Sequence, residues 1–155
     1  MKLYPYPVRS CNMPAPPPPP PKMNVHFDNN TPKWRLAEYI RERLLASEEM
    51  HQLVGEHIYP VYAPETDGDF VILTRSSYKA RETKFSILEY TTSVIIEVYS
   101  DDYARGLDIA EAVDRQLTKI HEEEYGKGGV TITIQDSGEA LHEGKFVQIL
   151  EYAIK

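Results

Sequence analysis

SILEYTTSVIIEVYSDDYARGLDIAEAVDRQLTKI, residues 86–120, contains the change of period that sets the architecture. Up to Ser100 the residues are β-branched and aromatic and they alternate. Val94, Ile96 and Val98 fall on one face, and Ile95, Glu97 and Tyr99 on the other, which is the two-residue period of a strand. Ser100-Asp101-Asp102 then offers a hydroxyl and two carboxylates where a helix start wants them. Beyond it Tyr103, Leu107, Ala110, Val113, Leu117 and Ile120 recur at helical spacing, which predicts a helix over 102–124. Gly126-Lys127-Gly128-Gly129 ends it.

The segments on either side extend this pattern. Downstream, VTITIQDSG and KFVQILEYAI read as two strands joined as a hairpin around 139–144. Upstream, FVILTRSSY reads as a strand, the polar stretch 76–84 as the turn that follows it, and HIYPVY as a short extended piece. Thr31-Pro32 is a helix start, with the hydroxyl as N-cap and proline at the first helical position. The helix runs over 32–46, with Leu36, Ile40, Leu44 and the neighbouring Ala37 as its buried stripe. Ser47 caps a second short helix, EEMHQLV, which stops at Gly55. The order α, short α, β, β, β, α, β, β predicts an α+β fold. In it a mainly antiparallel sheet carries its two main helices on one face.

A chain of 155 residues, 41% hydrophobic and 26% charged, makes one compact domain plus tails. Ten of its twelve prolines fall at or before Pro32, so residues 1–31 are expected to be a proline-rich arm and 32–155 the domain. The six prolines at 16–21 can neither continue a helix nor donate to a sheet. As polyproline II they span roughly 19 Å, a stiff spacer. The arm is expected to lie on a neighbouring subunit, with Tyr4, Tyr6 and Val8 as apolar anchors. No stretch approaches the ~20 apolar residues of a membrane helix, and no apolar run follows Lys2 as a signal peptide needs. The expectation is therefore a chain without a membrane partner, assembled in the cytoplasm.

Charge is uneven. Lys2, Arg9, Lys22 and Lys33 against Asp28 leave +3 in residues 1–33, so the rest carries −10 of the overall −7. Nucleic-acid affinity comes from cations that displace condensed counterions, so an acidic body argues against it. Within that background Arg75, Lys79, Arg81 and Lys84, with Glu82, form a local basic cluster on the expected turn, either a solvated hairpin tip or a candidate contact for an acidic partner or nucleic acid.

Catalytic and metal motifs fare poorly. GKGG at 126–129 lacks the spacing of a phosphate loop and stands after a helix instead of before one. Asp67-Gly68-Asp69 lacks the bidentate Glu of a calcium loop and reads as a turn. His51 and His57, six residues apart across a helix end, do not share a helical face. Cys11, the one cysteine, lies in the proline-rich arm and has nothing beside it to activate a thiolate. Asp101 and Asp102 are explained by capping, whereas the Glu122–Glu124 run opposes the helix dipole. The expectation is a protein that is not an enzyme and takes no cofactor or metal.

Leu53-Val54-Gly55-Glu56-His57-Ile58-Tyr59-Pro60, then Pro64 with Phe70-Val71-Ile72, then Val94 to Ser100 running into the helix that starts at Asp101, together resemble one known family. It is the family of phage and prophage tail components that includes the tail terminators of long-tailed phages. The likeness spans Leu36 to Lys155, roughly three quarters of the chain. It implies a virion protein, assembled in the host cytoplasm, that forms a homo-oligomeric ring, generally a hexamer. Such a ring caps the tail tube, ends its polymerisation and offers a docking surface to neck or head-completion proteins. DNA passes through the ring without sequence-specific binding. The proline-rich arm departs from the family pattern. A neck or head-completion adaptor of related fold stays open as an alternative, and so does a small ligand-binding or enzymatic α+β domain, which would need a polar pocket.

Overall fold

The structure is a computed structural model and describes residues 33–125 and 131–155. A 3-10 turn, Lys33–Arg35, leads into helix α1 (Leu36–Ala46), and α2 (Glu48–Val54) follows directly. Ser47 serves both helices. Its N–H donates to the Leu44 carbonyl at 3.2 Å and its Oγ accepts from the Met50 N–H at 3.4 Å, so one residue stops α1 and caps α2 as the sequence predicts. Gly55, at φ +60°, ends α2 in the left-handed region that glycine reaches without a Cβ clash.

Strands β1 (Ile58–Pro60), β2 (Phe70–Glu82) and β3 (Ile87–Ser100) precede the long helix α3 (Tyr103–Tyr125). β4 (Ile132–His142) and β5 (Lys145–Ile154) complete a five-stranded sheet of order β1-β2-β3-β5-β4. β1 runs parallel to β2, and the other pairings are antiparallel. The helices pack on one face. On that face Val71, Leu73, Val94, Ile96, Val98, Leu150, Tyr152 and Ile154 form one cluster with Leu36, Ile40 and Leu44 of α1 and Ile109, Val113, Leu117 and Ile120 of α3. Each Ile, Leu or Val so buried contributes about 2 kcal/mol, so β3, with three fully buried residues at its centre, anchors the sheet. The expected α+β class and helix placement hold.

Two strand boundaries and one helix face differ from expectation. The polar stretch 76–84 is strand as far as Glu82, and only 83–86 turn. The second hairpin likewise runs to His142 and reverses over Glu143 (φ 51°) and Gly144 (φ 81°), the paired positive angles of a tight two-residue turn. In both places the strand faces water on each side, so the alternation that betrays a half-buried strand is missing. On α3 the buried stripe is Gly106, Ile109, Val113, Leu117 and Ile120, while Tyr103 stands 43% exposed and Leu107 is only half-buried. A Cβ on Gly106 would meet the Ser100 Cβ at 3.4 Å, so glycine lets the helix start lie close to the end of β3.

The junction below α3 is polar. Ser100 Oγ donates to Asp69 Oδ1 at 2.8 Å and accepts from the Asp102 N–H at 3.2 Å. Arg105 reaches both Asp69 and the Leu53 carbonyl, tying α3 to the end of α2 and the start of β2. Asp69, read as part of a turn, thus clamps three elements. The arm with Tyr4, Tyr6 and Val8, the 31/32 boundary and the GKGG stretch lie outside the described residues.

Candidate functional site

The surfaces with chemistry to offer are those that the fold leaves uncovered. β3 pairs with β5 only as far as Thr92, and β1 covers β2 only over Val71–Leu73. Among the described residues, 77–82 and 87–91 therefore find their strand partners only in each other, as a two-stranded ribbon. Such a ribbon is marginally stable alone in water, so its own side chains must brace it. On the helix side, the Tyr78 ring lies 5.3 Å from Trp34 and 5.4 Å from Tyr90, stacked on the latter at 9°. The Arg75 guanidinium sits 4.1 Å over the Trp34 ring. This aromatic ladder is open to solvent, with Trp34 66% and Tyr90 37% exposed. At the tip Thr83 closes the turn, donating from its N–H to the Ser86 carbonyl at 2.8 Å and accepting from the Ser86 N–H on Oγ1 at 3.2 Å. Beside it Phe85 is 90% exposed.

The basic cluster is dispersed by this geometry. Arg75 belongs to the aromatic side. Lys79 and Arg81, paired with Thr91 and Glu89, share the opposite face, with Arg81 and Glu89 at 3.5 Å, and Lys84 is in the turn. Instead of one patch on a loop, the four cations mark both faces and the end of the ribbon. Sequence reasoning missed Trp34, Tyr78, Phe85 and Tyr90. The signal was there in part, because Tyr78 and Tyr90 stand on either side of the turn as diagonal neighbours in the register, but the polarity between them masked it.

The sheet face away from the helices is mixed. Phe70 stacks on Tyr99 at 4.6 Å, and Ile72, Ile95, Glu97, Ile149 and Glu151 are each half-exposed. The Tyr99 hydroxyl donates to Glu97 at 3.2 Å, and burial together with that carboxylate pushes the phenol up to about 12. Nearby, Val61 holds φ +62° and is 70% exposed, beside Tyr62 at 72%. A β-branched residue in that region is strained.

The third surface is a groove of about 710 Å³ between α3 and edge strand β4. Leu107 and Ala110 of α3, Ile134 of β4 and Leu150 of β5 give it an apolar floor, and Glu111, Asp114 and Glu139 form an acidic rim. Gln148 donates to Glu139 at 2.7 Å, and with Tyr103 it holds that carboxyl below the usual range. Asp114 accepts from the buried Tyr152 hydroxyl at 2.6 Å, and burial, then this carboxylate, raises the phenol above its ordinary value. β4 is exposed from Thr133 to His142.

The remaining candidates are occupied structurally. Nδ1 of His57 lies 2.7 Å from the Tyr59 hydroxyl, and His51 is exposed on α2. Among the described residues no group of three His, Cys, Asp or Glu side chains is placed to hold a metal, and no helix is long and apolar enough to cross a membrane. Asp101 pairs with Lys145 at 3.0 Å. The Glu122–Glu124 run is explained by tertiary contact, since Arg43 of α1 pairs with Glu123 and the Tyr39 hydroxyl donates to buried Glu124 at 3.4 Å.

No family model matches the sequence, and no curated protein matches it. Among solved structures the chain is similar to one from the virion of a native gene transfer agent (GTA) particle. The TM-score is 0.59 and the identity 18%, over 74% of this chain and 90% of that one. At that identity the likeness is one of fold.

Proposed function

We propose that the chain is a structural subunit of a phage-like particle that assembles into a homo-oligomeric ring and caps the tail tube. In that place it ends polymerisation and presents a surface to neck or head-completion proteins. The observation that carries this reading is the free ribbon over 77–91, with Phe85 at its tip and an aromatic ladder along one side. A two-stranded arm that leaves apolar side chains in water is built to be covered. The strand-to-helix segment that resembles tail terminators adds support, as does the shared fold with a chain of a gene transfer agent virion. In this reading the chain carries out no catalysis. Its acidic body lets DNA pass without holding it, since cations are what bind phosphate.

The test is to add the purified chain to polymerising tail tubes and to tail-less filled heads, and to measure tube length and the site of binding. A terminator shortens and caps tubes, at one end. Binding to heads with no effect on tubes supports the adaptor reading in its place, and a turnover activity with neither supports the ligand-binding or enzymatic domain.

A further inference from the structure

We propose that the ribbon tip of one copy, Lys84 and Phe85, seats in the groove between α3 and β4 of the next copy, and that this is the repeating contact of the assembly. The inference rests on the ring reading only in taking a second copy as the partner.

The two surfaces match in charge and polarity. The ribbon tip offers Lys84 beside a phenylalanine that is 90% exposed, and Lys79 further down the ribbon, while Arg81 pairs with Glu89 within the ribbon. The groove offers Glu111, Asp114 and Glu139 around an apolar floor, and neither Lys nor Arg is among its lining residues. Complementary rims of this kind orient an encounter, and a single buried aromatic at the centre supplies most of the grip. They match in size as well. The α3 side of the groove, from Tyr103 to Asp114, is roughly 16 Å long at helical rise, and residues 77–83 extend the ribbon by roughly 20 Å.

The groove cannot be filled by the molecule's own tip. Its end nearer the tip is the row Ile134–Tyr152–Val94. From that row to the start of β3 at residue 87 is seven residues of strand, roughly 24 Å, leading away from the groove. Tip and groove are therefore separate patches at opposite ends of one rigid sheet. A contact between them is heterologous, the kind that generates a ring when its rotation closes.

The experiment uses two variants of the full chain, each changed only at exposed positions. The tip variant is Lys84→Ser with Phe85→Ser, and the groove variant is Glu111→Lys with Ser137→Arg. Sedimentation velocity gives the association of each, and thermal unfolding verifies that each is folded. Each variant alone should associate at least roughly tenfold more weakly than the unmodified chain. Mixed one to one they should form a dimer and stop, because one keeps an intact groove and the other an intact tip. Assembly of either variant like the unmodified chain, or two monomeric variants that give no dimer on mixing, overturns the contact and leaves the ring reading standing. An unmodified chain that stays monomeric at high concentration overturns both.

Discussion

Replacing Tyr78 with Ala removes the middle ring of the ladder, and the result can be worked from the geometry. Tyr78 has two ring partners, Trp34 at 5.3 Å in a tilted arrangement and Tyr90 stacked at 5.4 Å. Each such pair is worth roughly 0.5–1.5 kcal/mol, so the ribbon loses about 2 kcal/mol. The Arg75 contact with Trp34 survives, because it does not pass through Tyr78. The loss is local. The ribbon beyond Thr92 shares no hydrogen bonds with β5, so it can open while the sheet around Val94, Ile96 and Val98 stays closed. Amide hydrogen exchange in dilute protein is the assay. Ribbon amides in 78–82 and 87–91 should exchange roughly 30-fold faster, the factor that 2 kcal/mol corresponds to, with amides at 94–98 unchanged. Unchanged ribbon exchange would mean that the ladder braces nothing. Equal acceleration at 94–98 would mean that the ribbon is part of the core's cooperative unit, and the account of it as a separate arm would fail.

Arg115 hydrogen-bonds Glu49 and holds its carboxyl below the ordinary 4.5, so the pair stabilises the fold above that pH and ceases to as pH falls through the lowered value. Since both side chains are exposed, solvent screening keeps the effect small. Glu49→Gln should lower the melting temperature slightly near neutral pH and not at all in strong acid, and a gap that widens on acidification contradicts the assignment. Val61→Gly relieves a β-branched residue at φ +62° and should stabilise by about 0.5–1 kcal/mol, as read by calorimetry. A destabilised variant would show that the strain is compensated locally. Deleting residues 1–30 should leave the melting transition intact and weaken association, and an unchanged association constant would leave the arm without an assembly role.

The parts of the fold that a sequence reader can see are those with one face in the core. β3 shows itself through Val94, Ile96 and Val98 against Ile95, Glu97 and Tyr99, and α1 through Leu36, Ile40 and Leu44, because burial on one side writes a period into the residues. The junction at Ser47 is legible for a different reason: only a few side chains cap a helix. The ribbon and the outer half of β4 are illegible by the same logic. With water on both faces, 76–82 and 135–142 have no apolar alternation to show, and they pair with the next strand of their own hairpins through backbone groups that leave no mark on the side chains. The Glu122–Glu124 run looked wrong for a helix end because the compensating Arg43 lies on another helix. Tyr103 and Leu107 keep helical spacing yet turn away from the core into the groove, a distinction of a few tens of degrees that periodicity does not resolve. The assembly surfaces were therefore the least readable part, since they consist of residues that the monomer leaves uncovered.

A reconstruction of the phage-like particle that carries this chain, with its density located by the 70–100 hairpin and α3, bears most directly on the proposed function. The account predicts one closed ring of this chain at the head-proximal end of the tail tube, each subunit's hairpin reaching its neighbour. Density for the chain inside the head portal, along the tube as a repeating subunit, or nowhere in the particle would contradict it.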